Sequence, residues 1–261
     1  MLSVDMFIMT STSKLKLTLS LQPQLWIKQF HLSCCMQKKR PVKLKSKHSH
    51  SSQQWLQRQM KDPFVQQAKL QNYRARSAFK LLDINNQHHI LTPGSVVIDC
   101  GAAPGSWTQV AVNKVNSLGQ DPTKPKGKVI AVDLLFIDPI DGAVIINKSD
   151  FTHDDTQKQI LTHLEGKSVD LVMSDMAPNA SGIQSMDHDN IVQLCRTALT
   201  FSKLVLRPKA AFLCKLWDGY ETGNLKRELG SVFQMVKIIR PNASRKESSE
   251  IYLLAKGFHK H

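Results

Sequence analysis

Residues 95–107 read SVVIDCGAAPGSW. An apolar run of strand length, Ser95–Cys100, carries an acid near its end, passes through a turn of Gly, Ala and Pro, and opens a helical stretch over Gly105–Asn116. Strand, small-residue turn and helix in that order form the first unit of a parallel sheet that takes its ligand at the strand carboxyl ends. Small side chains at 101–105 let the backbone approach a ligand, and the helix N-terminus favours a carboxylate or phosphate. The spacing is neither GxGxxG nor the GK[ST] of a phosphate-binding loop, which argues against NAD and ATP.

Working outward, apolar runs alternate with helical patterns. Strands are predicted at Lys128–Asp133, Gly142–Asn147, Val169–Ser174 and Ala210–Leu216, with two final strands at Phe233–Ile239 and Glu250–Ala255. Helices are predicted at Ser77–Asp83, Thr156–Leu164, Asp187–Leu206 (stopped by Arg207-Pro208) and Asn224–Leu229. The alternation predicts an α/β fold: a mostly parallel, doubly wound, seven-stranded sheet with helices on both faces. Ser117–Lys128, polar with two prolines, reads as a surface insertion.

The chain has 261 residues, of which 41% are hydrophobic and 21% charged, so a wholly disordered chain is excluded. No apolar run reaches the roughly 18 residues of a membrane span, and no integral membrane association is expected. Five cysteines, an odd count without CxxC or Cys/His spacing, argue against a disulfide scaffold and a zinc site; no metal is expected. Lys plus Arg outnumber Asp plus Glu by 35 to 21, a net charge of +14 that points to a polyanionic partner, nucleic acid first.

Much of that charge sits at the start. Residues 1–60 hold ten Lys/Arg and a single acid, Asp5, and are rich in Ser, Thr and Gln. A basic, acid-poor segment of this kind reads as an organelle transit peptide, or else as a basic arm that grips RNA. The expected division is an arm at 1–55 and a catalytic domain at 56–261.

Candidate site residues lie on the ligand side of the predicted sheet. Asp133 ends the second strand, where an acid accepts from a ribose diol, and Asp150 follows the third. Each could equally be a turn residue; three acids at successive strand ends, Asp99 included, favour a site. Trp107 is either a ligand-facing or a core aromatic. Asp175 follows the fourth strand. Lys215 lies inside the apolar run AAFLCKLW, where an unpaired ammonium is costly. Glu250 opens the last strand, and Lys80 by itself reads as a solvated helix face.

These stretches together resemble the FtsJ/RrmJ family of ribosomal RNA 2′-O-methyltransferases, nearest its mitochondrial large-subunit branch in animals. The resemblance covers residues 61–258. It rests on DPFVQQAKLQNYRARSAFKLL, DCGAAPGSW, VDLLFIDPI, SDMAPNASG, FLCKLWDG and ASRKESSEIYLLAKGF. It implies the Rossmann-like class I methyltransferase fold and S-adenosylmethionine as cofactor. The family's Lys-Asp-Lys-Glu tetrad falls on Lys80, Asp175, Lys215 and Glu250. Its cofactor contacts fall on Pro104, Gly105, Ser106 (through backbone), Trp107, Asp133, Asp150 and Asp175. The partner implied is large-subunit rRNA or the assembling subunit, and the location the mitochondrial matrix. A monomer is expected.

Physical needs suggest the roles. A ribose 2′-OH is a poor nucleophile facing an already activated methyl group, so alignment and proton removal are what remain to be supplied. Lys215 is the expected proton acceptor: burial and the positive charge of Lys80 and the sulfonium favour its neutral form, while Asp175 and Glu250 oppose that. Lys61, Lys69, Arg74, Arg76, Arg245 and Lys246 are expected to hold RNA phosphates, which positions a strand without reading its sequence. Three other readings stay open: a tRNA or mRNA-cap ribose methyltransferase with the same tetrad, a ribosome-assembly factor whose binding outweighs catalysis, and, most distantly, a dehydrogenase.

Overall fold

The computed structural model describes residues 61–179, 181–245 and 247–259. The arm and its transit-peptide reading, Lys246, Cys34 and Cys35 lie outside them. In chain order come α1 (Pro63–Leu70), α2 (Ala78–His88), β1 (Val96–Cys100), α3 (Ser106–Lys114), β2 (Lys128–Asp133), β3 (Ala143–Asn147) and α4 (Asp154–Leu164). They are followed by β4 (Val169–Ser174), α5 (Gln184–Val205), β5 (Leu206–Trp217), α6 (Thr222–Gly230), β6 (Phe233–Ile239) and β7 (Glu250–Phe258).

One seven-stranded sheet runs β3-β2-β1-β4-β5-β7-β6, and β7 alone is antiparallel to its neighbours. Strand alternation divides the core into two layers. Ile98, Val172, Phe212, Leu253 and Ala255 face the layer shared with α4, α5 and α6. Val97, Leu171, Leu213, Tyr252 and Leu254 face the layer shared with α2 and α3. Lys215 and Glu250 have the parity of this second face, so α2 crosses the same side of the sheet that carries them.

Three elements differ from expectation. The helix α1 was not visible in the periodicity: it is short, and only Ala68 is buried. Its start is set locally, by Pro63 in the first turn and by Asp62, whose Oδ1 accepts the Phe64 N–H at 3.0 Å. The helix α2 runs on to His88 because Ile84 and Asn85 are buried beneath it. Pro208 does not separate helix from strand. The strand β5 already starts at Leu206, and its register against β4 slips between Leu206 and Ala211, with Lys209 at φ +66°. A bulge of this kind absorbs a residue without an N–H. Residues 118–126 form the expected exposed insertion, held by the Asn116 side chain, which donates to the carbonyls of Asp121 and Lys124.

Candidate active site

The carboxyl ends of β1, β2 and β4 open into a cavity of about 360 Å³. Asp133, Asp150 and Asp175 line it, together with Gly101, Ala103, Leu134, Phe151, Met176 and Leu194. Asp133 braces the wall: Oδ2 accepts from the Ala103 N–H at 2.8 Å and Oδ1 from the Leu135 N–H at 2.7 Å. Asp150 Oδ1 accepts both the N–H and the hydroxyl of Thr152, which hold its carboxyl below the usual range. At Gly101, φ +75°, a Cβ would stand 2.8 Å from the Met176 backbone, so only glycine lets the β1 loop close on the β4 loop.

Behind this wall Asp99 is fully buried. Its Oδ2 accepts the Thr108 hydroxyl at 2.7 Å, while Oδ1 has no partner. Burial pushes its carboxyl up to about 7. The lining holds three acids and no Lys or Arg, with an orphaned carboxylate oxygen behind them and apolar side chains between. That donor set fits a cationic, partly apolar ligand.

The other expected cofactor residues lie differently. Pro104 is exposed, and Gly105 turns the chain at φ +106° into α3. Ser106 Oγ lies 2.7 Å from Ser77 Oγ. Trp107 is buried, donates from Nε1 to the Ser77 carbonyl at 2.8 Å, and packs on Tyr252 with ring centroids 5.6 Å apart. Ser106 and Trp107 thus join the cofactor loop to α2 rather than line the cavity.

Beside the cavity the four tetrad positions form two ion pairs. Lys80, on α2, reaches both oxygens of Glu250 at 2.7 and 2.8 Å, across 170 residues of chain. Lys215 Nζ donates to Asp175 Oδ1 at 3.0 Å and to the Asp175 carbonyl at 2.5 Å. All four side chains are less than one-fifth exposed. The β5–β7 register sets Lys215 opposite Tyr252 and Trp217 opposite Glu250. Tyr252, absent from the sequence-based set, lies between the pairs: its hydroxyl donates to Asp175 Oδ1 at 3.0 Å. Burial, then the charges of Asp175 and Glu250, holds its phenol well above the ordinary value. Its place two residues after Glu250, on the same strand face, was the available signal.

The basic residues divide. Lys61 and Lys69 are exposed. Arg74 is spent on backbone carbonyls, Pro104 at 3.0 Å, Asp138 at 2.8 Å and Pro139 at 2.8 Å, and so clamps the cofactor loop to the loop after β2. Arg76 pairs with Asp62 and the Ala243 carbonyl, with its buried Nε unpartnered. Arg245 makes only a long 3.4 Å contact with Asp62. Arg76, Lys80, Arg245, Ser248 and Glu250 line a second hollow of about 250 Å³.

Among the described residues no group of His, Cys, Asp and Glu is placed to hold a metal, and no helix is long and apolar enough to cross a membrane.

A mostly parallel seven-stranded sheet with its last strand reversed, and an acid-lined cavity at its carboxyl edge, define a Rossmann-like methyltransferase. Residues 73–258 match the model of the FtsJ-like methyltransferases, and the chain belongs to that family. Its sequence is 43% identical over 221 residues to the mitochondrial rRNA methyltransferase 2 of Drosophila melanogaster, covering 85% of this chain and 88% of that one. It is 43% identical over 208 residues to the ribosomal RNA large subunit methyltransferase E of Roseobacter denitrificans, covering 80% and 86%. A crystal structure of a provisionally assigned ribosomal RNA methyltransferase from Plasmodium falciparum superposes with a TM-score of 0.63 at 28% identity, over 71% of this chain and 98% of that one. The protein is an RNA methyltransferase, and its cofactor is S-adenosylmethionine.

Proposed function

We propose that the protein methylates a ribose 2′-hydroxyl, that of a uridine, in mitochondrial large-subunit rRNA, and that it works in the mitochondrial matrix in support of ribosome assembly. The observation that carries the chemistry is the pair of buried ion pairs, Lys80–Glu250 and Lys215–Asp175, linked through Tyr252 at the edge of the acid-lined cavity. Such an arrangement suits a hydroxyl, whose proton must be removed as its oxygen attacks. The rRNA substrate rests on the relatives' names, and the mitochondrial location on one of those names and on the basic segment 1–55.

In this reading Asp133 takes the ribose hydroxyls of the cofactor, Asp150 its base edge, and Asp175 its cationic end, with Pro104–Trp107 shaping the loop beside it. The cofactor supplies a methyl group activated by a sulfonium. Asp175 holds Lys215 by side chain and carbonyl, so the amine points at one place. Lys215, as the neutral amine, would accept the 2′-OH proton as that oxygen takes the methyl group the cofactor supplies. Lys80, oriented by Glu250, stabilises the negative charge growing on that oxygen. Arg76 and Arg245 hold a phosphate in the hollow they line, with Lys61 and Lys69 further along the strand. Arg74 acts on the site through the cofactor loop.

Labelled S-adenosylmethionine, offered with unmethylated large subunits, free large-subunit rRNA and tRNA, tests this. Label on ribose in large-subunit RNA, lost in Lys215→Ala, is the expected result. Label on tRNA alone overturns the substrate, and label on a base overturns the reaction.

A further inference from the structure

A hollow of about 490 Å³ lies apart from the cofactor cavity. It lies between the start of α5 and the turn after β5, walled by Trp217, Tyr220, His188 and Ser249 among others. Ser249 faces this hollow while its neighbour Ser248 faces the arginine-lined one, so the two hollows share a wall at the approach to Glu250. Trp217 is the register partner of Glu250 and stands two residues beyond Lys215 on β5. The larger hollow therefore adjoins the tetrad on the side away from Arg76 and Arg245.

The two hollows differ in charge. One holds Arg76, Arg245 and Lys80 beside Glu250; the other holds Asp187, and Asp218 paired with Arg240 at 2.8 Å, with no Lys or Arg in its own lining. A phosphate is drawn to the first more than to the second. The second has aromatic walls. The His188 and Tyr220 rings lie 4.7 Å apart, and the Tyr220 hydroxyl donates to Asp189, so a ring that is 63% exposed is pinned from both ends. An exposed aromatic held in this way is a ready stacking surface. Around it the side chains of Gln184, Ser185 and Ser249 have no hydrogen-bond partner among the described residues. Planar apolar walls, unspent hydrogen-bonding groups and a lining without Lys or Arg suit the uncharged part of a nucleotide.

We propose that this hollow receives a nucleobase of the substrate RNA, one flanking the reacting ribose, stacked on Tyr220 and Trp217 while its phosphate lies toward Arg76 and Arg245. The inference rests on the ribose-methylating reading and adds how that site grips a single strand. Stacking on aromatic side chains is the usual way an unpaired base is held, and it tolerates any sequence. Gln184, Ser185 and Ser249 are the groups that would read the base edge.

The test is binding of two fluorescein-labelled RNA probes to the full-length protein, an oligouridylate octamer and its fully abasic counterpart of equal length and charge. The protein should bind the octamer about tenfold more tightly than the abasic chain. Tyr220→Ala and Trp217→Leu should each remove most of that preference without changing affinity for the abasic chain, while Arg245→Ala weakens both probes alike. Trp217 packs partly on the core, so the exposed Tyr220 keeps the test decisive if Trp217→Leu folds poorly. Equal binding of the two probes by the unmutated protein, or a preference that survives Tyr220→Ala, overturns the proposal. Ribose methylation of large-subunit rRNA is measured alongside. Methylation without a base preference overturns the hollow alone. A base preference that Tyr220→Ala abolishes, without ribose methylation, supports the hollow and overturns the proposed reaction.

Discussion

Tyr252 and Lys215 face each other across the β5–β7 ladder and converge on a single oxygen, Asp175 Oδ1, each at 3.0 Å. A phenol and an ammonium on one carboxylate oxygen fix the direction of that carboxylate and, through it, of the amine. Tyr252→Phe keeps the packing on Trp107 and removes only the hydroxyl. A neutral donor to a charged acceptor contributes about 1.5–3 kcal/mol, so kcat should fall roughly tenfold to a hundredfold, with KM for S-adenosylmethionine nearly unchanged. Steady-state kinetics with a saturating RNA substrate checks this; a raised KM at constant kcat would mean that Tyr252 serves binding instead.

The Lys80–Glu250 pair is mostly buried, and removing one partner strands the other. Lys80→Ala should lower stability by about 3 kcal/mol, read as a fall in thermal midpoint. Lys80→Met with Glu250→Leu should recover most of that stability and none of the methyl transfer. Recovery of activity in the double variant would make the pair structural only.

Arg74 and Arg245 should separate cleanly. Arg74→Ala removes three charge-assisted bonds to the carbonyls of Pro104, Asp138 and Pro139, and should weaken S-adenosylmethionine binding by calorimetry while leaving the salt dependence of RNA binding unchanged. Gly105→Ala should act in the same direction, because a Cβ there would lie 2.8 Å from Arg74 Nη1. Arg245→Ala should leave cofactor affinity alone and reduce the slope of log K against log salt by about one.

Asp99 makes stability depend on pH. Its carboxyl is raised from the ordinary 3.8 to about 7 by burial, so the fold holds a proton that the unfolded chain releases. The stabilisation is complete below about pH 4 and is lost as pH rises toward 7. Asp99→Asn removes this dependence. Thermal midpoints from pH 5 to 8 should fall more steeply in the unmutated protein than in the variant. Parallel curves would show that Asp99 is ionised throughout.

What could be read in advance follows from the range of the forces involved. The strands β2 and β4 coincide with the predicted segments because a buried strand in a sheet covered on both faces is a short apolar run in any context. The turn at 101–105 was legible because small residues between strand and helix have a local steric meaning. Lys80 came from resemblance alone, since a lysine on a helix carries no sign of a carboxylate 170 residues away.

Tertiary structure decided the rest. Only the pairing of β7 between β5 and β6 places Glu250 beside Lys80 and Tyr252 beside Lys215, since hydrogen bonds between strands are satisfied equally well in many strand orders. Arg74 and Arg245 are alike in composition, and they part company because three carbonyls converge on one and almost nothing on the other. Trp107, open between ligand and core in the sequence, is buried, bonded to the Ser77 carbonyl and packed on the Tyr252 ring. The chain by itself determined its strands, its turn and its charge, which depend on neighbouring residues. Which side chains pair, and which stay free for a ligand, was decided where distant segments meet.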